Sequence, residues 1–373
     1  MLLTWILIAL ILAVIPATLL TVNLPLFQAP PLQPPNADPP CVSVLIPARN
    51  EESHIQAAAQ SVLANQDIML ELIILDDHST DNTAAIIQTL AQRDARVKLP
   101  ASTPLPEGWC GKQHACWTLA QHAQFDLMVF MDADVELAPD ALIRMATFMN
   151  QHDLALGSGF PQQKTETFYE KLLIPLMHFI LLGFLPIRRM RNSNDPAYSA
   201  GCGQLFIANK SSYMALGGHS AIRASRHDGI TLPRAFRKAG FVTDLFDATH
   251  LASCRMYQSA SQVFNGLAKN ATEALAAPKL IVPATLILLG GQVMPLALLI
   301  IALLLHEHSV VIILAVIATA LSYWPRLIAA FRFRQSMIGA MLHPLGISLL
   351  VFIQWYALAR HMLGKPIAWR GRT

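Results

Sequence analysis

Val129-Phe130-Met131-Asp132-Ala133-Asp134 is a short apolar run that ends in two carboxylates at i and i+2. Leu127 to Met131 is continuous apolar sequence with turn-forming residues beyond it, which predicts a buried strand. Asp132 and Asp134 then fall where such a strand emerges at its C-terminal edge, the place where open α/β sheets put their ligands. Two carboxylates one residue apart can grip a hard divalent cation and, through it, a diphosphate. A lone D-x-D is more often a pair of solvated loop acids. What flanks this one reverses that reading.

Upstream, Val42-Ser43-Val44-Leu45-Ile46-Pro47 predicts a strand, followed by Ala48-Arg49-Asn50-Glu51-Glu52 and a helix to about Ala64. Glu71 to Leu75 predicts a second strand that ends in Asp76-Asp77-His78-Ser79-Thr80-Asp81-Asn82-Thr83. A helix over Ala84–Arg93, a short strand near Val97 and a loop with Gly108 and Gly111 follow. The next helix runs from about Lys112 to Ala123 and leads into the strand that carries the two carboxylates. Strands alternating with helices predict a mainly parallel sheet covered on both faces. Each strand ends in polar residues, so the chemistry gathers along one edge.

Four polar groups fall at those strand ends or just beyond them: Arg49-Asn50-Glu51, Asp76-Asp77, Gly111-Lys112 and Asp132/Asp134. A strand-end carboxylate can accept from a base N–H or a ribose hydroxyl. Lys112 at a helix start adds a cation to the positive end of the helix dipole, which suits a phosphate; a solvated lysine is the plainer alternative. Neither G-x-x-x-x-G-K-[ST] nor, after the first strand, G-x-G-x-x-G occurs. A sugar nucleotide is the ligand that remains.

The flanks belong to a different solvent. The chain is 54% hydrophobic and only 14% charged, with mean hydropathy +0.42, and the apolar residues concentrate at its two ends. Residues 2–26 hold no charge, no basic n-region and no evident cleavage site, so they read as a retained membrane anchor over 1–26. Pro16 would kink it, which a membrane helix tolerates. Six prolines make 27–40 a stiff linker. The apolar segment 168–187, interrupted by Glu170, Lys171, Pro175 and His178, is expected to lie in the interface, with a buried core helix as the alternative. Between the linker and the closing segments, 41–278 is the α/β domain. Membrane segments over 279–360 (roughly 280–305, 309–325 and 337–358) and a basic tail, 361–373, end the chain.

Arg188-Arg189-Met190-Arg191 and Arg326 to Arg334 sit beside apolar segments, as suits an anionic membrane surface. Reading Arg326–Arg334 as a cytoplasmic loop puts the α/β domain inside as well and the N-terminus outside. A third full crossing at the C-terminus would carry the basic tail outside, against that rule; a re-entrant segment broken at His343-Pro344 would not. The net charge of +3 gives no case for nucleic acid. The five cysteines (41, 110, 116, 202, 254) are scattered, with no C-x-x-C pair, and read as free thiols in a reducing compartment.

With these residues in view the chain resembles the family-two glycosyltransferases of the GT-A fold. Pro47-Ala48-Arg49-Asn50-Glu51, Leu75-Asp76-Asp77-His78-Ser79-Thr80-Asp81 and Asp132-Ala133-Asp134 carry the resemblance. Pro106-Glu107-Gly108-Trp109-Cys110-Gly111-Lys112, Gly217-Gly218-His219, Arg255-Met256-Tyr257 and Trp369-Arg370-Gly371-Arg372 narrow it to the membrane-bound branch that acts on lipids. That branch holds carotenoid (diaponeurosporenoate-type) and hopanoid-associated glycosyltransferases, with ceramide glucosyltransferase more distant. The resemblance implies a GT-A (Rossmann-like) domain, a UDP-sugar donor, a lipid acceptor and an inner-membrane, multi-pass location with the catalytic domain in the cytoplasm. Asp77 would then meet the uracil, with Pro47, Arg49, Asn50 and Glu51 lining the nucleoside pocket and Lys112 facing the diphosphate. Asp132 and Asp134 would hold Mg²⁺ or Mn²⁺.

The family's general base is an acid in an E-D or D-D pair ahead of an amphipathic helix. Here the matching stretch is Arg226-His227-Asp228-Gly229-Ile230-Thr231-Leu232, so Asp228 takes that role and His227 replaces the usual first acid. A helix N-cap is the structural alternative for Asp228, and His219 and His114 read as structural or solvated. Arg370 and Arg372 reach the diphosphate only if the tail folds back. The Q-x-x-R-W motif of processive synthases has no Arg-Trp pair around Gln262-Val263-Phe264-Asn265-Gly266, which implies a single transfer. A polyprenyl-phosphate acceptor and a non-catalytic membrane scaffold are the rival readings.

Overall fold

The computed structural model describes residues 1–32 and 38–364. The middle of the proline linker and the tail from Lys365, with Arg370 and Arg372, lie outside the described residues. The chain forms two compact units: an α/β unit of Phe27–Gln162 and Arg188–Arg255, and a helical unit of Met1–Leu26, Gln163–Ile187 and the chain from Met256.

In chain order, α1 (Leu2–Asn23) opens the helical unit. The α/β unit begins with β1 (Cys41–Ala48), α2 (Ile55–Leu63), β2 (Met69–Asp76), α3 (Thr83–Arg93) and β3 (Val97–Lys98). It continues through α4 (Gly111–His122), β4 (Leu127–Met131), β5 (Val135–Leu137), α5 (Ala141–Gln151) and β6 (Leu156–Gln163). The helices α6 (Phe168–Leu173) and α7 (Leu176–Phe184) return to the helical unit. Then α8 (Ile187–Arg191), β7 (Leu205–Asn209), α9 (Lys210–Ala215), α10 (Asp228–Lys238) and β8 (Thr243–Cys254) complete the sheet domain. The chain closes with α11 (Ala260–Asn270), α12 (Ile281–Gln292), α13 (Met294–Leu304), α14 (Ser309–Arg332), α15 (Met337–Met341) and α16 (His343–Met362).

The sheet has eight strands in the order β3-β2-β1-β4-β7-β6-β8-β5. Its first four strands are parallel, as the alternation of strands and helices predicts. The other half is different: β7 runs antiparallel to β4 and β6, and β5 antiparallel to β8. Parallel neighbours need a crossover of a dozen or more residues. Only Asp132–Asp134 separate β4 from β5, so the chain turns out of the parallel layer at the two carboxylates. Side chains alternate across the parallel strands into two apolar layers. Val44, Ile46, Leu72, Ile74, Val129 and Met131 fill one layer; Leu45, Ile73, Leu75, Met128 and Phe130 fill the other. Burial on both faces explains why these strands read as unbroken apolar runs.

Within the helical unit, α1, α14 and α16 are long and apolar enough to cross a membrane, and α12 with α13 together make a pair, bent by 42°, with the length and composition of a broken span or a re-entrant loop. Asn23 ties the end of α1 to the end of α7. Its amide donates to the carbonyls of Leu182 (2.8 Å) and Leu185 (2.7 Å) and accepts from the Ile187 N–H (3.2 Å), occupying carbonyls that a helix end leaves open. The 168–187 segment is two short helices broken at Ile174-Pro175. Leu172, Leu173, Leu176, Phe179 and Leu182 are buried in this unit, while Phe168 and Tyr169 are exposed. The segment expected to end at 325 continues helical to Arg332, with Arg326 buried instead of lying in a basic loop. The closing segment breaks before His343-Pro344, and α16 runs antiparallel to α12. Gln292 meets His343 (3.1 Å) and Thr285 meets Trp355 (2.9 Å).

Candidate active site

Register brings the polar strand ends together. Ala48 of β1 pairs with Asp76 of β2, and Leu45 pairs with Phe130 of β4, so three neighbouring strands finish at one edge. Beyond β1 and β2 the two loops are stitched side chain to backbone. Asn50 adopts a positive φ of 54°, which Asn tolerates better than most residues. Its backbone N–H donates to Ser79 Oγ (2.9 Å) and its Oδ1 accepts from the Thr80 N–H (2.8 Å). The Glu51 N–H donates to Thr83 Oγ1 (2.8 Å). Arg49 Nη1 donates to the Asp77 carbonyl (2.7 Å) and lies 4.0 Å from the Asp77 carboxylate. Asp77 and Glu51 are buried, and Pro47 stays inside the β1 ladder opposite Leu75. These five positions form one polar rim.

A second cluster forms where β4 ends. Lys112, in the first turn of α4, places Nζ 2.6 Å from Asp132 Oδ1, 3.0 Å from Asp228 Oδ2 and 2.9 Å from the Gly203 carbonyl. Burial alone would lower the Lys112 pKa, but the charges of Asp132 and Asp228 outweigh it and hold the ammonium well above its usual range. Asp228 is the mirror case. Burial pushes its carboxyl up, Lys112 pulls it down, and the net position lies below the ordinary carboxylate value. It opens α10, where the helix dipole favours an anion. Its Oδ1 accepts from the Gly229 N–H (2.8 Å), which fixes the carboxylate's orientation. His227, not Asp228, occupies the N-cap position. The N-cap alternative for Asp228 therefore does not describe it.

Gly203 is required by this crowding: a Cβ there would sit 2.1 Å from Asp228 Oδ1. Sequence reading passed over Gly203 and Gln204, although Gly201-Cys202-Gly203 is a visible small-residue signal. Gln204 accepts the Asp132 N–H on its carbonyl (3.0 Å) and donates its side-chain amide to Cys254 Sγ (2.8 Å). Asp134 sits in the turn before β5, and its charge reaches the buried Cys254 thiol, which burial first pushes well above its usual range. His219 is buried. Its ring meets the Tyr213 hydroxyl at 2.7 Å, and burial lowers its pKa to about 3, so it stays neutral. His114 is buried beside Trp109.

The arrangement thus joins an ionised, buried carboxylate to a cation that also holds Asp132. No group of three His, Cys, Asp or Glu able to hold a metal occurs among the described residues. Asp132 and Asp134 supply only hard oxygen donors, which fits an ion that completes its shell with phosphate oxygens and water.

Glycosyl transferase family 2 matches residues 43–215 of this chain. The 4,4'-diaponeurosporenoate glycosyltransferase of Staphylococcus haemolyticus is 30% identical over 222 residues, 58% of this chain and 57% of the relative. The Staphylococcus aureus (strain USA300) protein of the same description is 29% identical over 230 residues, 59% and 58% of the two chains. The chain therefore spans little more than half the length of these curated relatives. Among solved structures, the mannosyltransferase PcManGT from Pyrobaculum calidifontis, in complex with GDP-Man and Mn²⁺, aligns with a TM-score of 0.56 at 17% identity. That alignment covers 97% of this chain and 99% of the other, and it shows a shared GT-A fold. With its polar rim at the strand ends and its Asp-x-Asp turn, the chain matches glycosyl transferase family 2 over residues 43–215 and is similar to the diaponeurosporenoate glycosyltransferases.

Proposed function

We propose that this protein transfers one sugar, with inversion, from a UDP-sugar to a hydroxyl or carboxylate borne by a membrane lipid. The observation that carries the reading is the Lys112 ammonium shared between Asp132 and Asp228. It sets a buried carboxylate base and the acid expected at the diphosphate on two sides of one cation. On this reading Asp77, with Pro47, Arg49, Asn50 and Glu51 around it, takes the nucleoside, and Lys112 offsets charge on the departing diphosphate. A Mg²⁺ or Mn²⁺ ion held by Asp132 and Asp134 would add Lewis-acid stabilisation of the same leaving group.

Asp228 takes the proton of an acceptor hydroxyl as its oxygen attacks C1; the C1–O bond to the diphosphate breaks and UDP departs. An acceptor carboxylate needs no deprotonation, and Asp228 then orients the attacking oxygen through solvent or its neighbours. In the membrane, we read α1, α12 with α13, and α14 as the crossings. The antiparallel α16 brings the chain back toward the end at which α12 starts. The short turn after Arg332 and the end of α16 then share a side, which the positive-inside rule makes the cytoplasmic one.

Two carboxylates alone hold a divalent ion weakly, so ion binding should depend on the nucleotide. Titration calorimetry is expected to show Mn²⁺ bound at least tenfold more tightly with UDP present than without it. Asp134→Ala should remove that coupling and the metal-dependent release of UDP from the sugar nucleotide. Equal metal affinity with and without UDP, or full UDP release by Asp134→Ala, contradicts the assignment.

A further inference from the structure

The helical unit buries a cation that the transfer reaction does not use. Arg326, on α14, is fully buried. Its Nη1 donates to the Pro175 carbonyl (3.2 Å) and to Gln335 Oε1 (2.8 Å), while Nε and Nη2 have no hydrogen-bond partner. Among the described residues no carboxylate pairs with it. What surrounds it is neutral and hydrogen-bonding. His343 contacts Gln292 at 3.1 Å, His178 stacks on Phe333 at 4.4 Å between ring centroids, and the Arg326 charge acts on both imidazoles. The side-chain amide nitrogens of Gln335 and Gln292 are also buried donors without acceptors.

A guanidinium is almost never buried without a counter-charge, because removing it from water is costly unless an anion compensates. The unpaired Nε–Nη2 edge is the edge that binds a planar or tetrahedral oxyanion with two parallel hydrogen bonds. Met337, Ile338 and Met341 of the neighbouring α15 are exposed and apolar, so the surroundings favour a hydrocarbon chain. We propose that the buried Arg326 guanidinium binds the anionic head, carboxylate or phosphate, of a lipid. Arg326 and the Gln335 amide grip the oxyanion while the apolar chain lies along α15. The inference extends the lipid reading, and its test needs no donor sugar, so failure of lipid binding and failure of transfer remain separate results.

The test is thermal unfolding of the full chain in phosphatidylcholine nanodiscs with three additions: oleate, phosphatidylglycerol or inorganic phosphate. A rise in midpoint with oleate or phosphatidylglycerol, and none with inorganic phosphate, is expected. Arg326→Met should lose that rise while being no less stable than wild type in phosphatidylcholine alone, since it removes an uncompensated buried charge. If Arg326→Met does not fold, Arg326→Lys keeps the charge and loses the fork; it should need at least tenfold more anionic lipid for the same rise. A response to inorganic phosphate alone, no response to either lipid, or an undiminished response in the variant overturns the proposal.

Discussion

Replacing Asp228 by Asn is expected to lower kcat by about 10²–10⁴-fold, the range a positioned general base contributes, with donor binding retained. The amide keeps an oxygen to accept the Gly229 N–H at the 2.8 Å position. It loses the negative charge that accepts a proton and that faces Lys112. Steady-state kinetics with a hydroxyl acceptor and UDP binding by calorimetry separate the two effects. A variant that binds UDP as wild type does but turns over hardly at all is the expected outcome. The wild-type rate should also be flat across the neutral range as far as this group is concerned, because its carboxyl lies below its ordinary value and is already ionised there.

Lys112→Met should damage both stability and rate. It leaves Asp228 buried without its main cation. Losing one partner of a buried pair costs about 3–5 kcal/mol, and the third of the Lys112 side chain that still reaches solvent reduces this to roughly 2 kcal/mol. The pH dependence has a definite sign. In wild type the depressed Asp228 contributes stability above its ordinary value of 3.8 that is lost as the pH falls through its lower folded value. The raised Lys112 contributes stability below 10.5 that is lost only as the pH rises through its higher folded value. Without Lys112, burial dominates and the Asp228 pKa moves up, so the variant is penalised most at neutral pH. The gap in unfolding midpoint between wild type and variant should narrow as the pH falls from about 7 toward 4. A gap that widens on acidification contradicts the pairing. Turnover should fall by about 10²-fold or more from loss of the charge facing the diphosphate.

Local chemistry made half of this site legible. Asp77, Asp132 and Asp134 each stand where an apolar run stops, and a residue there lies at the sheet edge whichever way the helices pack; Lys112 is legible from its place at a helix start. Arg49, Asn50 and Glu51 follow from the same argument applied to β1. Asp228 came from the family's motif alone, since nothing in its own neighbourhood singles it out. The Lys112 contacts to Gly203 and Asp228 join residues far apart in sequence, which no local pattern encodes.

The same division runs through the fold. Repeated strand–helix periodicity predicts the parallel half of the sheet. The antiparallel half is obscured because β6 carries Gly157, Gly159 and Pro161, which break the strand pattern while lying almost wholly buried. In the helical unit the break at His343-Pro344 is legible from proline. Arg326 was expected in a basic loop because charge at the end of an apolar run usually marks a helix end. Helix α14 instead continues past it and draws it inside.

On the proposed function, a sugar passes from a nucleotide to a lipid at Asp228. Mass spectrometry of total lipid extracts, from otherwise identical cells making wild type or Asp228→Asn, tests it most directly. A lipid whose mass rises by one sugar residue with wild type and not with the variant is the result this account expects. Identical lipid profiles with and without the wild-type protein, or the same sugar increment with Asp228→Asn, would contradict it.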